Sequence, residues 1–285
     1  MDPAIACALV AMVCYGVSDF VYKRAAAAGI RADRFLVAQA WAFFPLVIVY
    51  SLATRTLVPS AAALWGSVAG IFVFIGFYFF IRSLAAGAVS INASIFRMNF
   101  VVTVLLVIIF LGEPLTAAKS AGLVLALLAT WLLVGGGADR GATSREARRR
   151  SLVEVAIATL AFGASTFFHA LGLRHGAVPE TLAVAQALLF MPLATATVYF
   201  AEGKLAPPRA ALRYGATAAL ALFGATIALL HGIAIGQASV LVPIAQMGFI
   251  VAAVLGIIVL REGITLRKAL GLVSALAALG ALAAR

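Results

Sequence analysis

Long apolar stretches alternate with short polar connections along the whole chain. Each stretch is about 20 residues long, which is the length of helix that crosses the hydrocarbon core of a bilayer. A spanning segment must satisfy its own backbone hydrogen bonds, and unbroken apolar runs favour helices over barrel strands. The pattern predicts an all-α membrane protein with ten spans, at about 4–23, 35–54, 61–84, 88–111, 116–135, 152–173, 179–200, 212–235, 239–260 and 265–284.

The amino-acid composition agrees with this pattern. Hydrophobic residues make up 65% of the 285 residues and charged residues only 11%, and the mean hydropathy is +1.13. A soluble domain is roughly half apolar and about a quarter charged. This chain therefore has too little polar surface for a water-facing globule, and its surroundings are predicted to be a lipid bilayer.

One stretch occurs twice. Residues 87–122 and 236–271 align without a gap, and they share polar and glycine positions that composition alone would not match: Gly87/Gly236, Ser90/Ser239, Met98/Met247, Phe100/Phe249, Glu113/Glu262, Thr116/Thr265, Lys119/Lys268 and Gly122/Gly271. A second alignment pairs Tyr15–Ser18 with Phe162–Ser165, and Gln39 with Gln186. The chain is therefore an internal duplication.

The basic residues are distributed unequally between the two sides of the predicted membrane. The net charge is +11. Four basic residues fall on one side: Arg55, Lys119, Arg174 and Arg285. Fifteen fall on the other: Lys23, Arg24, Arg31, Arg34, Arg140, Arg145, Arg148, Arg149, Arg150, Lys204, Arg209, Arg213, Arg261, Arg267 and Lys268. The positive-inside rule places the richer side in the cytoplasm and both termini outside. The charge orients the protein and requires no nucleic-acid partner.

The number of spans gives the duplication a geometric meaning. Each half has five spans, so the second half must enter the membrane from the opposite face. The prediction is a first repeat at 1–135, a basic cytoplasmic linker at 136–151 and an inverted second repeat at 152–285. Inverted repeats of this kind are the ground plan of many secondary transporters.

The sequences LGEPLT, after span four, and LREGIT, after span nine, occupy equivalent places in this plan. With five plus five spans, the chain resembles the drug/metabolite transporter superfamily, and specifically the EamA-type exporters. The aromatic content of spans one to three is similar to that of bacterial exporters of aromatic and other neutral amino acids. The resemblance implies export of small metabolites by alternating access through a central cavity, in the inner membrane of a bacterium.

Arg97 is the sharpest candidate for the cavity. It lies near the middle of span four, on one helical face with Ser90 and Ser94, and its repeat counterpart is Gln246. Placing an arginine there costs roughly 2.5–3.5 kcal/mol on an insertion scale, so it requires compensation. Two interpretations remain open. Its guanidinium receives a substrate carboxylate, or it pairs with backbone carbonyls or a fixed carboxylate and joins helices.

Other polar side chains in mid-span are expected to face the protein interior. Each is a candidate for substrate binding or for helix-to-helix hydrogen bonding. Gln39 and Gln186 each precede a proline by six residues, which suits a gate or a cavity wall. With Arg97, the predicted substrate-binding residues are Asn99, Tyr78, Gln39, Gln186, His231 and Gln246.

The acidic residues are expected to serve other purposes. Asp19 precedes Lys23 by four residues, so an interfacial ion pair is favoured over a site for a substrate ammonium group. Glu113 and Glu262 are expected to cap helix starts together with the threonine three residues later. The small four-helix multidrug members of the superfamily carry a membrane-embedded glutamate in their first helix. Here the nearest match is Asp19, which argues against proton-coupled export of lipophilic cations.

The leading function is therefore a secondary exporter of small metabolites, with neutral and aromatic amino acids as the expected substrates. A nucleotide-sugar or organic-phosphate exchanger is the alternative, although it would need more than one deep basic residue. An intramembrane enzyme or a non-transporting subunit is less favoured, because no protease motif is present and a passive subunit predicts no inverted symmetry. No catalytic residue, metal site or cofactor is predicted, and a monomer can suffice.

Overall fold

The computed structural model describes residues 1–86, 89–134, 144–203, 207, 209–260 and 265–283. A short 3₁₀ helix at Ala61–Ala63 precedes the third long helix. The α-helices are α1 Pro3–Ala27, α2 Ala32–Ala53, α3 Leu64–Ala86, α4 Val89–Arg97, α5 Asn99–Leu111, α6 Ala117–Val134, α7 Arg145–Arg174, α8 Pro179–Glu202, α9 Arg209–Ile235, α10 Ala238–Gln246, α11 Gly248–Leu260 and α12 Leu266–Ala283.

Apolar helices long enough to cross a membrane account for most of the described chain. Nine segments of the described ranges meet that length, and a tenth, Ala117–Leu133, is apolar but shorter. The predicted all-α membrane protein of about ten spanning helices is confirmed. Pro45 and Pro192 both lie inside continuous helices, α2 and α8.

Two of the spans are interrupted near their middle, which the sequence analysis did not predict. Span four consists of α4 and α5, which meet at Met98, and span nine consists of α10 and α11, which meet at Met247. At each break a backbone N–H bonds to the carbonyl three residues earlier, instead of four as in an α-helix. The Met98 N–H donates to the Ile95 carbonyl at 3.0 Å, and the Met247 N–H donates to the Ile244 carbonyl at 3.1 Å. Tight turns within a helix often mark hinges, and interrupted spanning helices often mark transporter binding sites.

Helix α7 begins earlier than the hydropathy pattern predicts. It starts at Arg145, inside the segment 136–151 predicted as a linker, whose residues 136–143 lie outside the described ranges. The Ser144 hydroxyl accepts a hydrogen bond from the Ala147 N–H at 3.1 Å, and Glu146 lies in the first turn. Both features stabilise a helix start. The helix therefore extends beyond its apolar part, and the predicted boundary at 152 falls within it.

Helices from the two halves pack against each other in a reciprocal way. Helix α1 lies along α9, and α7, the counterpart of α1, lies along α3, the counterpart of α9. Similarly, α2 contacts α9 where α8 contacts α3, and α1 contacts α11 where α7 contacts α5. Helix α6 packs on its own counterpart, α12. Each of these contacts therefore has an equivalent in which the halves exchange roles.

Glycines allow the interrupted spans to approach the first helix of each half closely. A Cβ atom added to Gly16 of α1 would lie 2.4 Å from the carbonyl oxygen of Gly248, at the start of α11. A Cβ atom added to Gly163 of α7 would lie 2.6 Å from the carbonyl oxygen of Asn99, at the start of α5. Such distances are shorter than any van der Waals contact, so only glycine fits. Each helix break is therefore held against a glycine of the opposite half.

Glu113 holds the beginning of α10 rather than that of its own helix. Its carboxylate accepts hydrogen bonds from the N–H groups of Ala238 and Ser239, at 2.9 and 2.8 Å. A carboxylate is favoured there because the first N–H groups of a helix lack partners and carry partial positive charge. Thr116 alone caps the start of α6. The expectation for Glu113 was thus right about capping but wrong about the helix, and Glu262 lies outside the described residues.

Candidate functional site

A cavity of about 200 Å³ opens between α1, α2 and α3. We name it the first chamber. It lies toward the end of the bundle that carries the connection between α1 and α2, which is rich in basic residues. Its lining is aromatic and aliphatic apart from two polar side chains: Tyr22, Ala25, Ala26, Ile30, Ala32, Phe35, Leu36, Gln39, Phe77, Phe80, Ile81 and Leu84.

A smaller cavity of about 70 Å³ lies nearer the opposite end, mainly between α7, α8 and α9. We name it the second chamber. Tyr15 of α1 and Gln246 of α10 complete it, and Phe77 lines both chambers. The remaining lining residues are Val73, Phe162, Ser165, Thr166, His169, Gln186, Leu222, Thr226, Leu229, Leu230 and Ile233.

The two chambers are built from equivalent positions of the duplicated sequence. In the longer alignment Phe80 and Leu84 of the first chamber correspond to Leu229 and Ile233 of the second. In the other alignment the polar pair Tyr22 and Gln39 corresponds to His169 and Gln186: Tyr22/His169 and Gln39/Gln186. Equivalent positions of the two halves therefore line one cavity each.

The polar pair of each chamber connects two of its lining helices, α1 with α2 and α7 with α8. In the first chamber the Tyr22 hydroxyl donates a hydrogen bond of 2.5 Å to Oε1 of Gln39, which is buried. In the second chamber Gln186 interacts with His169, whose Nε2 atom is buried without a hydrogen-bond partner. A buried polar atom without a partner costs free energy. His169 therefore has an unused hydrogen-bonding atom and is part of the lining of the second chamber.

An ion pair between Asp19 and Arg97 lies between the chambers. Asp19 is on the face of α1 that carries Tyr15 and Tyr22, one in the lining of each chamber. Arg97 ends α4, immediately before the break at Met98, and its Nη2 atom donates to Oδ1 of Asp19. The side chains are 14% and 25% exposed, so both charges are largely removed from solvent.

This pair bears on the two interpretations of Arg97. The structure shows a fixed carboxylate beside Arg97, as the helix-joining interpretation requires, and a quarter of the Arg97 side chain remains exposed. Asp19 was expected to pair with Lys23 at the interface. Its ion pair in the structure is instead with Arg97, because the helix rotation turns Asp19 inward to the break in span four.

Asn99 and Gln246 also lie at the helix breaks. Asn99 begins α5, is 1% exposed and donates from Nδ2 to the Phe96 carbonyl at 2.8 Å, while its Oδ1 atom is buried without a partner. Gln246 ends α10 and lines the second chamber. Gln39, Gln186 and Gln246 are therefore the predicted residues that line a chamber, and Asn99 supports the break beside Arg97.

Tyr78 and His231 are placed away from both chambers. The Tyr78 side chain is at the protein surface, where its hydroxyl accepts a 3.1 Å hydrogen bond from Arg82. Arg82 in turn pairs with Glu154 of α7. His231 of α9 is half exposed, and its Nε2 atom lies 2.8 Å from Oε1 of the buried Glu180 in α8. His231 joins α9 to α8, Tyr78 bonds within α3, and neither residue lines a cavity with Gln39 or Gln186.

The predicted substrate-binding residues did not include three groups in or between the chambers: the hydroxyl of Tyr22, the carboxylate of Asp19 and the imidazole of His169. Only Asp19 was considered as a site, for a substrate ammonium group, and an interfacial ion pair was favoured instead. The alignment that pairs Gln39 with Gln186 also pairs Tyr22 with His169, and that signal was available. The sequence carried no such signal for the partner of Arg97, because no spacing along the chain relates α1 to α4.

These features define a multi-pass helical membrane protein with polar groups at mid-membrane helix breaks. The model of the EamA-like transporter family matches residues 2–135. These residues are similar to the EamA-like transporter family, and the resemblance to the drug/metabolite transporter superfamily is confirmed. The chain is therefore a membrane transporter of small molecules.

One crystal structure of a protein is similar over nearly the whole chain, with a TM-score of 0.83 and 14% sequence identity. The match covers 98% of this chain and 96% of that chain. At this identity the similarity establishes the fold alone. Among curated proteins, none matches the sequence.

Proposed function

We propose that the protein is a secondary exporter of neutral and aromatic amino acids that works by alternating access. The observation that carries this proposal is the inequality of the two chambers. They occupy equivalent positions in the duplicated chain, lie toward opposite ends of the bundle, and differ in volume, about 200 against 70 Å³. One conformation with the first chamber wide and the second narrow implies a second conformation in which the widths are exchanged.

The proposal divides the chain into two repeats, 1–135 and 152–285, inverted with respect to each other in the membrane. The reciprocal packing of α1 with α9 and of α7 with α3 supports this division. So do the two helix breaks, which occur at the same position of the alignment. Rocking one repeat against the other would widen one chamber while it narrows the other, about the fixed contacts of Gly16 and Gly163.

The character of the first chamber favours amino acids over organic phosphates. Phe35, Phe77 and Phe80 offer an apolar wall of the kind that suits an aliphatic or aromatic side chain. Arg97, near the chamber, carries the charge that a carboxylate needs. A phosphate carries more negative charge than a carboxylate, so a nucleotide-sugar exchanger would need deep cations in addition to Arg97.

Counterflow in proteoliposomes tests the proposal. Purified full-length protein would be reconstituted with unlabelled amino acid inside, and uptake of a labelled panel (phenylalanine, leucine, threonine, glutamate, lysine) would be measured. We expect saturable exchange of the neutral members and little of the charged ones. Folded, reconstituted protein that exchanges none of the panel would overturn the amino-acid assignment, and exchange of a sugar phosphate in its place would establish the alternative.

A further inference from the structure

The Asp19–Arg97 ion pair places two opposite charges inside the bundle. It joins the middle of α1 to the end of α4, at the helix break and between the two chambers. An ion pair removed from water gains little stability unless further hydrogen bonds satisfy its remaining atoms. Here they are not satisfied, because Oδ2 of Asp19 is buried without a hydrogen-bond partner. The pair therefore has an unused acceptor, Oδ2 of Asp19, between the two chambers.

The second half of the chain shows that the fold does not require this pair. The counterparts of Asp19 and Arg97 are Thr166 and Gln246, and both are neutral. The break at Met247 nevertheless has the same hydrogen-bond pattern as the break at Met98, and it packs on α1 as the other packs on α7. The equivalent contact in the second half holds its helices together without any charges. The buried Asp19–Arg97 pair must therefore have a purpose other than holding helices together.

The charges of Asp19 and Arg97 and their position between the chambers indicate what the pair is for. Arg97 presents a planar donor group suited to a carboxylate, and Oδ2 of Asp19 accepts hydrogen bonds of the kind an ammonium group donates. We propose that Asp19 and Arg97 together bind the zwitterionic group of an α-amino acid, whose carboxylate and ammonium replace part of the internal ion pair. The substrate side chain then lies in the first chamber against Phe77 and Phe80. This inference rests on the proposed function and adds Asp19 to the site.

The arrangement also explains how the charges are tolerated when the site is empty. In that state Asp19 and Arg97 neutralise each other, so neither is left as an uncompensated charge within the membrane. An incoming zwitterion brings one charge of each sign and leaves the total unchanged. A substrate with one charge would instead leave Asp19 or Arg97 without its complement. The site therefore selects against molecules that carry only a carboxylate or only an amine.

Competition on the unmodified protein is the first test, because it needs no variant. Counterflow of labelled L-phenylalanine would be measured with unlabelled phenylalanine, phenethylamine and 3-phenylpropionate as competitors. We expect each analogue to compete about tenfold more weakly or worse, since each lacks one charge-assisted hydrogen-bonding group. Equal competition by phenethylamine would remove Arg97 from the site, and equal competition by 3-phenylpropionate would remove Asp19.

A double-variant cycle separates binding from helix joining. Asp19→Asn, Arg97→Gln and the double variant would be compared in phenylalanine counterflow, with thermal unfolding as the check on folding. We expect all three to lose exchange about tenfold or more. A helix-joining pair predicts instead that the double variant recovers, because no unpaired charge then remains. Arg150→Gln removes the exposed partner of Glu154, which keeps its pairing with Arg82; this variant is the control and should exchange normally.

Failure of the inference and failure of the proposed function give different results. Phenylalanine exchange by the unmodified protein together with recovery in the double variant would overturn the zwitterion site and leave the exporter in place. The absence of amino-acid exchange by the unmodified, folded protein would overturn both.

Discussion

The first and second chambers occupy equivalent positions, yet one is wide and the other narrow, and the charged pair Asp19 and Arg97 between them corresponds to the neutral Thr166 and Gln246. Their lining helices pack in the same way, and their polar pairs, Tyr22 with Gln39 and His169 with Gln186, correspond. The duplication therefore determines the scaffold of both cavities. Their volumes reflect the conformation, and the charges reflect residues that diverged after the duplication. Comparing the two halves of the chain thus distinguishes residues that stabilise the fold in both halves from residues that we propose bind the substrate.

The glycine contacts at the two breaks should be equally sensitive, if the halves are equivalent in packing. Gly16→Ala and Gly163→Ala each force a Cβ atom against a backbone carbonyl of the opposite half. We expect each to lower the free energy of unfolding by about 1–3 kcal/mol, as overpacking does. Thermal and denaturant unfolding in detergent would measure this change in the free energy of unfolding. Gly280→Ala is the matched control, because nothing lies within 4 Å of the added atom. A tolerated Gly163→Ala would break the equivalence of the two contacts.

Thiol labelling tests the inequality of the chambers directly. Leu84 and Ile233 are equivalent positions, one in each chamber. In a background without Cys7 and Cys14, which are both free thiols, Leu84→Cys should react about tenfold faster than Ile233→Cys, because an alternative conformation is typically a minor state. A methanethiosulfonate reagent would be applied in nanodiscs, which expose both faces. Equal rates would contradict a single preferred conformation.

Loss of the Glu113 carboxylate should weaken the contact between the halves at one end. Glu113→Gln keeps the shape of the side chain but removes the negative charge that faces the N-terminus of α10. We expect unfolding to become easier by about 1 kcal/mol, the usual contribution of such a charge or cap. Glu146→Gln, in the exposed first turn of α7, is the control. An unchanged unfolding midpoint in Glu113→Gln would show that this contact does not stabilise the fold.

The smallest effect is expected at Tyr78. Tyr78→Phe removes one hydrogen bond at the surface and should change stability by less than about 0.5 kcal/mol, without affecting transport. Tyr22→Phe removes the bond to Gln39 inside the first chamber and should impair exchange. Counterflow by the two variants, measured side by side, checks this contrast. Impaired exchange in Tyr78→Phe would restore Tyr78 to the site predicted from the sequence.

Much of the fold could be predicted because its physical causes are local. A chain in lipid must satisfy its backbone hydrogen bonds within each helix, so the apolar runs alone set the number and place of the spans. The duplication was visible in residues such as Glu113 and Lys119. The start of α7 was missed because a serine cap and charged residues extended the helix beyond its apolar part.

The sequence by itself determined the helices, their repetition and three of the residues that line the chambers, Gln39, Gln186 and Gln246. Only the tertiary structure decided the partner of Arg97, the breaks at Met98 and Met247, and the unequal widths of the chambers. These depend on how each helix is rotated and how far it slides against helices remote in the chain. Apolar packing in a membrane constrains such registers weakly along any single helix, so no spacing in the sequence encodes them.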